Sequence, residues 1–386
     1  MLKYSKIAAL VLAAGYSSRA PAFKPLLPLG ATTIIENVIN NFRRADIADI
    51  TVVVGHRAGE LMPVLDRLHV RSVFNEQYDA GMFSSIMAGV HSLQPGVEAF
   101  LLLPVDMPLV NSHTVRLLCR SFHRTKADVT YPVFQGQRGH PPLIAAKCLP
   151  AILAGHTKGL RSILEQYEAT ACDIEVLDEG ILLDADTAVD YGRMVEYHSR
   201  RDMPSQAECK AILDSLNVPE HIIQHGRCVA EVTRKLAVQL NRVGLSIDVN
   251  LVIAAGKLHD LAKGKPEHAQ NGAKILKKLG YPKVAGIVAV HHDINYEAGR
   301  SLDEAAIVYL ADKLVKGDRI VSIDERFAGA MEKHAAAAGV LSAIMQRRVN
   351  AQNIGKAVEQ IIGESLTEII IGSRGSRHPI RKGGYR

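Results

Sequence analysis

The chain has 386 residues, too long for one typical domain, and 47% of them are apolar, which supports real cores. Its net charge of +6 is modest, its aromatic content is 5% with no Trp, and its five cysteines are scattered without a C-x-x-C pair. No apolar stretch approaches a membrane span, and the run at 7–14 meets a glycine turn with no cleavage pattern, so membrane, secreted and disulfide-framework classes are set aside for a cytoplasmic, reduced protein with no nucleic-acid partner.

In chain order, short runs rich in Val, Ile, Leu and Phe at 7–13, 50–54, 70–74 and 99–104 read as buried strands. Segments 33–44, 58–68, 84–92 and 112–126 read as helices between them, and 128–134 and 174–177 are further strand candidates. This alternation predicts an α/β fold: a Rossmann-like, mostly parallel sheet with helices on both faces. After about Tyr197 the pattern changes. The polar segment SRRDMPSQAE marks a linker expected at 198–207. Beyond it the spacing predicts helices at 220–243, 248–262, 268–279, 284–292, 303–316, 323–339 and 341–366, with a strand-like run only at 368–371. The expected domains are therefore α/β over 1–197 and all-α over 208–372. A basic, flexible tail follows at 373–386, with five Lys/Arg and no acid.

The first strand breaks into VLAAGYSSRAPAFK, residues 11–24. A Gly/Ser turn with cations nearby can hold a triphosphate: backbone N–H groups point at phosphate oxygens, and Arg19 and Lys24 neutralise charge. Taken alone, the same turn is also an ordinary strand-to-helix corner. Asp106 follows the apolar run in LLLPVDMP, where an α/β sheet places ligands, and a carboxylate there suits Mg²⁺. In NEQYDAGMFSSI, Gly81, Ser84 and Ser85 open a helix whose free N–H groups suit an anion or a base edge. In DADTAVD, Asp186 is the best placed second metal ligand, or else part of an acidic helix start.

The set LAAG-x-S-x-R, Lys24, GM-x-x-S, VDMP, RGHPPL and DADTAVD resembles the MobA-like nucleotidyltransferases over roughly residues 5–197. The resemblance implies that Ala13, Ala14, Gly15, Ser17, Ser18, Arg19 and Lys24 bind a nucleoside triphosphate and that Asp106 binds Mg²⁺. Family members with LAAG rather than LAGG tend to use CTP, so Ala14 leans towards cytidylyl transfer. Molybdopterin is the implied acceptor, with a molybdoenzyme or its chaperone as protein partner. The family's Met-Gly after the arginine is replaced here by Ala20-Pro21, which alters the loop. A sugar- or polyol-phosphate acceptor, with a nucleotide-sensing second domain, is the alternative. His140 of RGHPPL either contacts the acceptor or serves the turn.

The second half carries a different chemistry. His225 sits early on an amphipathic helix, His259-Asp260 ends the helix LVIAAGKLHD, His268 opens the next, His291-His292 ends the following one, and Asp312 lies within VYLADKLV. Imidazoles and carboxylates on neighbouring helices suit Fe, Mn or Zn. The pattern, with HDLAK and ADKLVKGDR, resembles the HD-domain metal phosphohydrolases over about 205–330. That resemblance implies that His225, His259, Asp260, His291 and Asp312 are ligands. It also implies that His268 marks variants with two metals and that Lys263 faces the substrate phosphate. His221 and His292 are candidates for a further metal or for supporting roles.

Overall fold

The computed structural model describes residues 4, 6–17, 20, 22–155, 159–297 and 299–371. They form two compact units, Met1–Arg201 and Asp202–Arg386. Ser18, Arg19 and the tail expected at 373–386 lie outside the described residues.

The first unit runs in chain order β1 (Ile7–Ala13), a small ribbon of β2 (Pro28–Leu29) and β3 (Thr32–Thr33), α1 (Ile34–Arg44), β4 (Asp49–Val54), α2 (Ala58–Arg67), β5 (Arg71–Phe74) and α3 (Met82–His91). It continues with β6 (Ala99–Pro104), α4 (Ser112–Thr125), β7 (Val129–Phe134), β8 (Gln137–Arg138), β9 (Leu143–Ala145), α5 (Leu149–Ala154), α6 (Leu160–Leu164), β10 (Cys172–Glu175) and α7 (Ala188–Ser199). The main sheet has the order β10-β7-β9-β6-β1-β4-β5, with β8 paired to β7. All pairs among β6, β1, β4 and β5 are parallel, and β9 is antiparallel to both its neighbours. Every residue of β1 is buried, as expected for a strand covered on both faces. Leu10, Leu12 and Phe100 pack under Ile86 and Val90 of α3, while Leu103 faces Val38 and Phe42 of α1.

The second unit contains α8 (Gln206–Ser215), α9 (Glu220–Arg242), α10 (Val249–Leu258), α11 (His268–Leu279), α12 (Pro282–Val290), α13 (Glu304–Lys313), a ribbon of β11 (Val315–Lys316) and β12 (Arg319–Ile320), α14 (Ile323–Lys333), α15 (Ala338–Ile362) and α16 (Leu366–Ile371). Along α9, Ile222, His225, Val229, Val232, Leu236 and Leu240 recur every three or four residues and are all buried. Two expectations change. The run at 368–371 is helical, not a strand: Ser365 and Glu368 bond each other reciprocally at the start of α16, and Ile369 and Ile370 are buried. The segment 198–207 contains the end of α7 and the start of α8, which Ser205 and Glu208 cap. No helix among the described residues is long and apolar enough to cross a membrane.

Candidate active sites

The C-terminal ends of the central strands are in register: Ala13 pairs with Val54, and Leu12 with Pro104. The loops that leave them therefore meet on one rim. In the loop after β1, Ser17 adopts a left-handed conformation (φ +57°), and its Oγ accepts a hydrogen bond from Lys24 N at 3.1 Å. Gly55 follows β4, and a Cβ there would meet Tyr78 Cβ at 2.6 Å and Ala14 Cβ at 2.9 Å. Glycine is what lets these segments close on one another. A cleft of about 310 Å³ opens on the rim, bounded by Ala13, Ala14, Gly15, Ser17, Lys24 and Asp106, and by Gly81 and Ser85.

Lys24 Nζ donates to Asp106 Oδ2 at 2.8 Å and to Asp186 Oδ1 at 2.7 Å. Burial opposes this ammonium, but the two carboxylates outweigh it and raise its pKa above the ordinary lysine value. Two acids, one from the loop after β6 and one from the segment before α7, thus converge on a single cationic position. That donor set suits a hard divalent cation as well as an ammonium. Burial pushes the nearby Asp184 carboxyl up and the His140 imidazole down; Asp106 and Asp184 act on His140 in the opposite sense.

In the second unit, His225, His259 and Asp260 bring donor atoms within 4.8 Å of one another, and so do Asp260, His268 and His291. Asp260 belongs to both sets. His225 Nε2 lies 3.1 Å from Asp312 Oδ1 and 3.8 Å from Asp260 Oδ2, while His259 Nε2 lies 3.6 and 3.4 Å from the same two oxygens. His268 Nε2 and His291 Nε2 stand 3.5 and 3.6 Å from Asp260 Oδ1. The opposite ring nitrogens are anchored to backbone carbonyls: His225 Nδ1 to Gly317 O at 2.8 Å, His259 Nδ1 to Gly256 O at 2.8 Å, and His291 Nδ1 to Val288 O at 2.7 Å. Carbonyls accept only, so each Nδ1 carries a hydrogen, and each ring in its neutral form turns an Nε2 lone pair inward. His259 Nε2 is buried with no hydrogen-bond partner among the described residues. An orphaned nitrogen facing two buried carboxylates fits a metal ion. Burial opposes charging His259, yet the Asp260 and Asp312 carboxylates facing Nε2 push its pKa up to about 10.

Comparison with known proteins places both sites in families. A model of the MobA-like NTP transferase domain matches residues 9–171, and a model of the HD domain matches residues 222–317. The chain joins a MobA-like NTP transferase domain to an HD domain. The transferase half is 29% identical over 189 residues to the molybdenum cofactor cytidylyltransferase of Escherichia coli K12, spanning 48% of this chain and 94% of that protein. It is 31% identical over 123 residues to the uncharacterized protein MJ0778 of Methanocaldococcus jannaschii, spanning 28% of this chain and 73% of that one. A solved structure, the Mycobacterium sp. strain JC1 homolog of Mycobacterium tuberculosis Rv0371c, is 27% identical with a TM-score of 0.46, covering 51% of this chain and 98% of that one.

In the transferase domain the structure brings Lys24, Asp106 and Asp186 together and sets Ser85 in the cleft wall. Ser84 instead bonds the carbonyls of Gln77 and Gly81, at 2.7 and 2.8 Å. In the HD domain Lys263 bonds the Asp260 carboxylate. His221 is exposed, apart from the buried cluster. Sequence reasoning missed Lys313, which donates to Asp312 Oδ2 at 2.6 Å and to His291 O at 3.2 Å; its position beside Asp312 was the available signal. It also missed the aromatic group at the transferase cleft, where the Tyr16 ring lies 4.8 Å from His56 and 5.7 Å from Tyr78.

Proposed function

We propose that this protein is a bifunctional enzyme. Its transferase domain moves a cytidylyl group from CTP to molybdopterin in a Mg²⁺-dependent reaction and releases pyrophosphate. Its HD domain hydrolyses a phosphoester. The observation that carries the first activity is the convergence of Lys24, Asp106 and Asp186 beside the loop after β1. In this reading the acceptor's phosphate attacks the α-phosphorus, and no protein nucleophile is needed. Catalysis is positioning and charge neutralisation. The loop Ala13–Ser18, Arg19 and Lys24 bind the triphosphate, Gly81 and Ser85 border the nucleotide, and Asp106 and Asp186 would hold Mg²⁺. With Mg²⁺ bound to those acids, Lys24 would be available to neutralise phosphate oxygens of the triphosphate.

In the HD domain, His225, His259, Asp260, His291 and Asp312 would hold a cation such as Fe or Mn, with His268 on a second one. The chemistry such cations supply is polarisation of the phosphate and acidification of a water molecule. Lys263 then meets the phosphate, and the backbone-anchored imidazoles keep the ligand set in place. The transferase activity is assigned to 1–197 and the hydrolase to 208–372, in the cytoplasm. Pyrophosphate release with molybdopterin and either CTP or GTP tests the first activity. Release is expected at least about tenfold more efficiently with CTP, since a base pocket discriminates through hydrogen bonds worth roughly that factor each. A preference for GTP overturns the base assignment, and no release with either overturns the acceptor.

A further inference from the structure

The histidine–aspartate cluster of the HD domain opens into a cavity of about 370 Å³ whose other walls come from α14 and α15. Four full cations line it: Lys263, Lys313, Arg326 and Arg347. Three of them have carboxylate partners. Lys263 bonds Asp260, Lys313 bonds Asp312, and Arg347 grips Asp293 through two nitrogens at 2.5 and 3.0 Å. Arg326 differs. Its side chain makes no ion pair or hydrogen bond among the described residues, and its Nε is closed off from solvent with no acceptor. The rest of this half-buried side chain borders the cavity, and a guanidinium with no carboxylate partner has its donors available for an anionic ligand. Beside Arg326 the wall is formed by the apolar Phe327, Ala330, Val340 and Ile344, with His334 among them. The cavity thus has three parts: a histidine–aspartate cluster, an arginine without a carboxylate partner and an apolar surface.

Resting on the metal-hydrolase reading, we propose that Arg326 forms a second anion subsite in the HD cavity. The substrate of this domain is accordingly an organic phosphate with a further phosphate or carboxylate group. The scissile phosphate lies at the histidine–aspartate cluster with Lys263. The second anionic group accepts hydrogen bonds from the Arg326 fork, which matches phosphate or carboxylate geometry. The carbon body of the substrate covers Phe327 and Ile344. Bare orthophosphate fills only one part of this cavity, and a monoester whose organic body carries no second anionic group leaves Arg326 unsatisfied.

The test uses the full chain loaded with Mn²⁺ and two probes that share one body, adenosine 5′-monophosphate and adenosine 3′,5′-bisphosphate. The wild type is expected to release the 5′-phosphate of the bisphosphate with a kcat/KM about tenfold or more above that of the monophosphate, mostly through KM. Arg326→Gln is expected to abolish this preference while leaving metal content unchanged, and Arg326→Lys to keep part of it. A second readout needs no turnover: peptide-resolved phenylglyoxal labelling of Arg326, which the bisphosphate should block more strongly than the monophosphate. Equal kinetics for the two probes in the wild type, or a preference that survives Arg326→Gln, overturns the subsite while the hydrolase reading stands. Failure to take up Mn²⁺, or to hydrolyse either probe, overturns the hydrolase reading and the subsite with it.

Discussion

Lys24 and His259 show how a single side chain can report on a site. Lys24 is the cation between two acids, and its removal takes away the ammonium that bonds both Asp106 and Asp186. Lys24→Ala is therefore expected to lower kcat for nucleotidyl transfer by about 10²–10³-fold, the usual effect of losing one charge-stabilising donor. Steady-state pyrophosphate release checks this, and a loss under about tenfold would remove Lys24 from the transition state. His259 gives a pH prediction. Its pKa in the metal-free fold is pushed up to about 10 from 6.5. A raised histidine contributes stability that is complete below the unfolded value and is lost as pH rises through the folded one. A metal ligand must give up that proton. Loading the metal-free chain with Mn²⁺ at pH 7–8 should release about one proton per chain from this ring, because Asp260 and Asp312 are already held ionised well below the carboxylate range. The yield should fall away above about pH 10. A pH-stat titration measures it, and metal uptake without proton release would contradict the assignment of His259 as a ligand.

At the scale of elements, two glycines set the spacing of the histidine–aspartate cluster. A Cβ on Gly226 of α9 would meet Lys257 O at 2.7 Å, and one on Gly256 of α10 would meet Ala230 Cα at 2.9 Å. These helices therefore touch backbone to backbone. Each contact glycine also has a cluster role: Gly226 follows His225, and Gly256 O anchors His259 Nδ1. Gly226→Ala should force the helices apart, cost about 1–3 kcal/mol of stability, and weaken Mn²⁺ binding more than a surface Gly→Ala change. Thermal unfolding and metal titration together check this; lost stability with unchanged affinity would show that the cluster tolerates a wider crossing. The same elements show what the sequence could reveal. β1, α1 and α9 were legible because apolar runs and periodic buried positions carry their signal locally. The run Ile369–Ile371 was misread because three β-branched residues outweighed the Ser365–Glu368 cap in a reading by composition, whereas capping and burial decide the structure. The antiparallel β9 is three residues long and owes its place to Phe100 and Val129 across the chain, so no local pattern marks it. Side-chain types and spacing also pointed to the histidine cluster. Its anchors are backbone carbonyls and the orphaned Arg326 depends on partners distant in sequence, so neither was visible.

The whole molecule combines two units that each carry a core and a candidate site. Nucleotidyl transfer exchanges one phosphoanhydride for another and requires no water, whereas phosphoester hydrolysis consumes it. The two chemistries place opposite demands on solvent, which favours separate cavities. Substitutions at one site are then expected to leave the other intact. Asp106→Ala should abolish pyrophosphate release with phosphoester hydrolysis unchanged, and Asp260→Ala should strip Mn²⁺ and hydrolysis with transfer unchanged. Ligand-linked stability gives an independent measure. Mn²⁺ at about a hundred times its dissociation constant stabilises the unit that binds it by roughly 2.7 kcal/mol and adds nothing to a unit that does not. Peptide-resolved hydrogen exchange on the full chain should therefore show Mn²⁺ protecting α9, α10 and α13, and CTP with Mg²⁺ protecting the loops after β1 and β6. Protection of the β1 loop by Mn²⁺ that persists in Asp106→Ala but disappears in Asp260→Ala would show that the HD metals act on the transferase, and the case for two independent activities would fail.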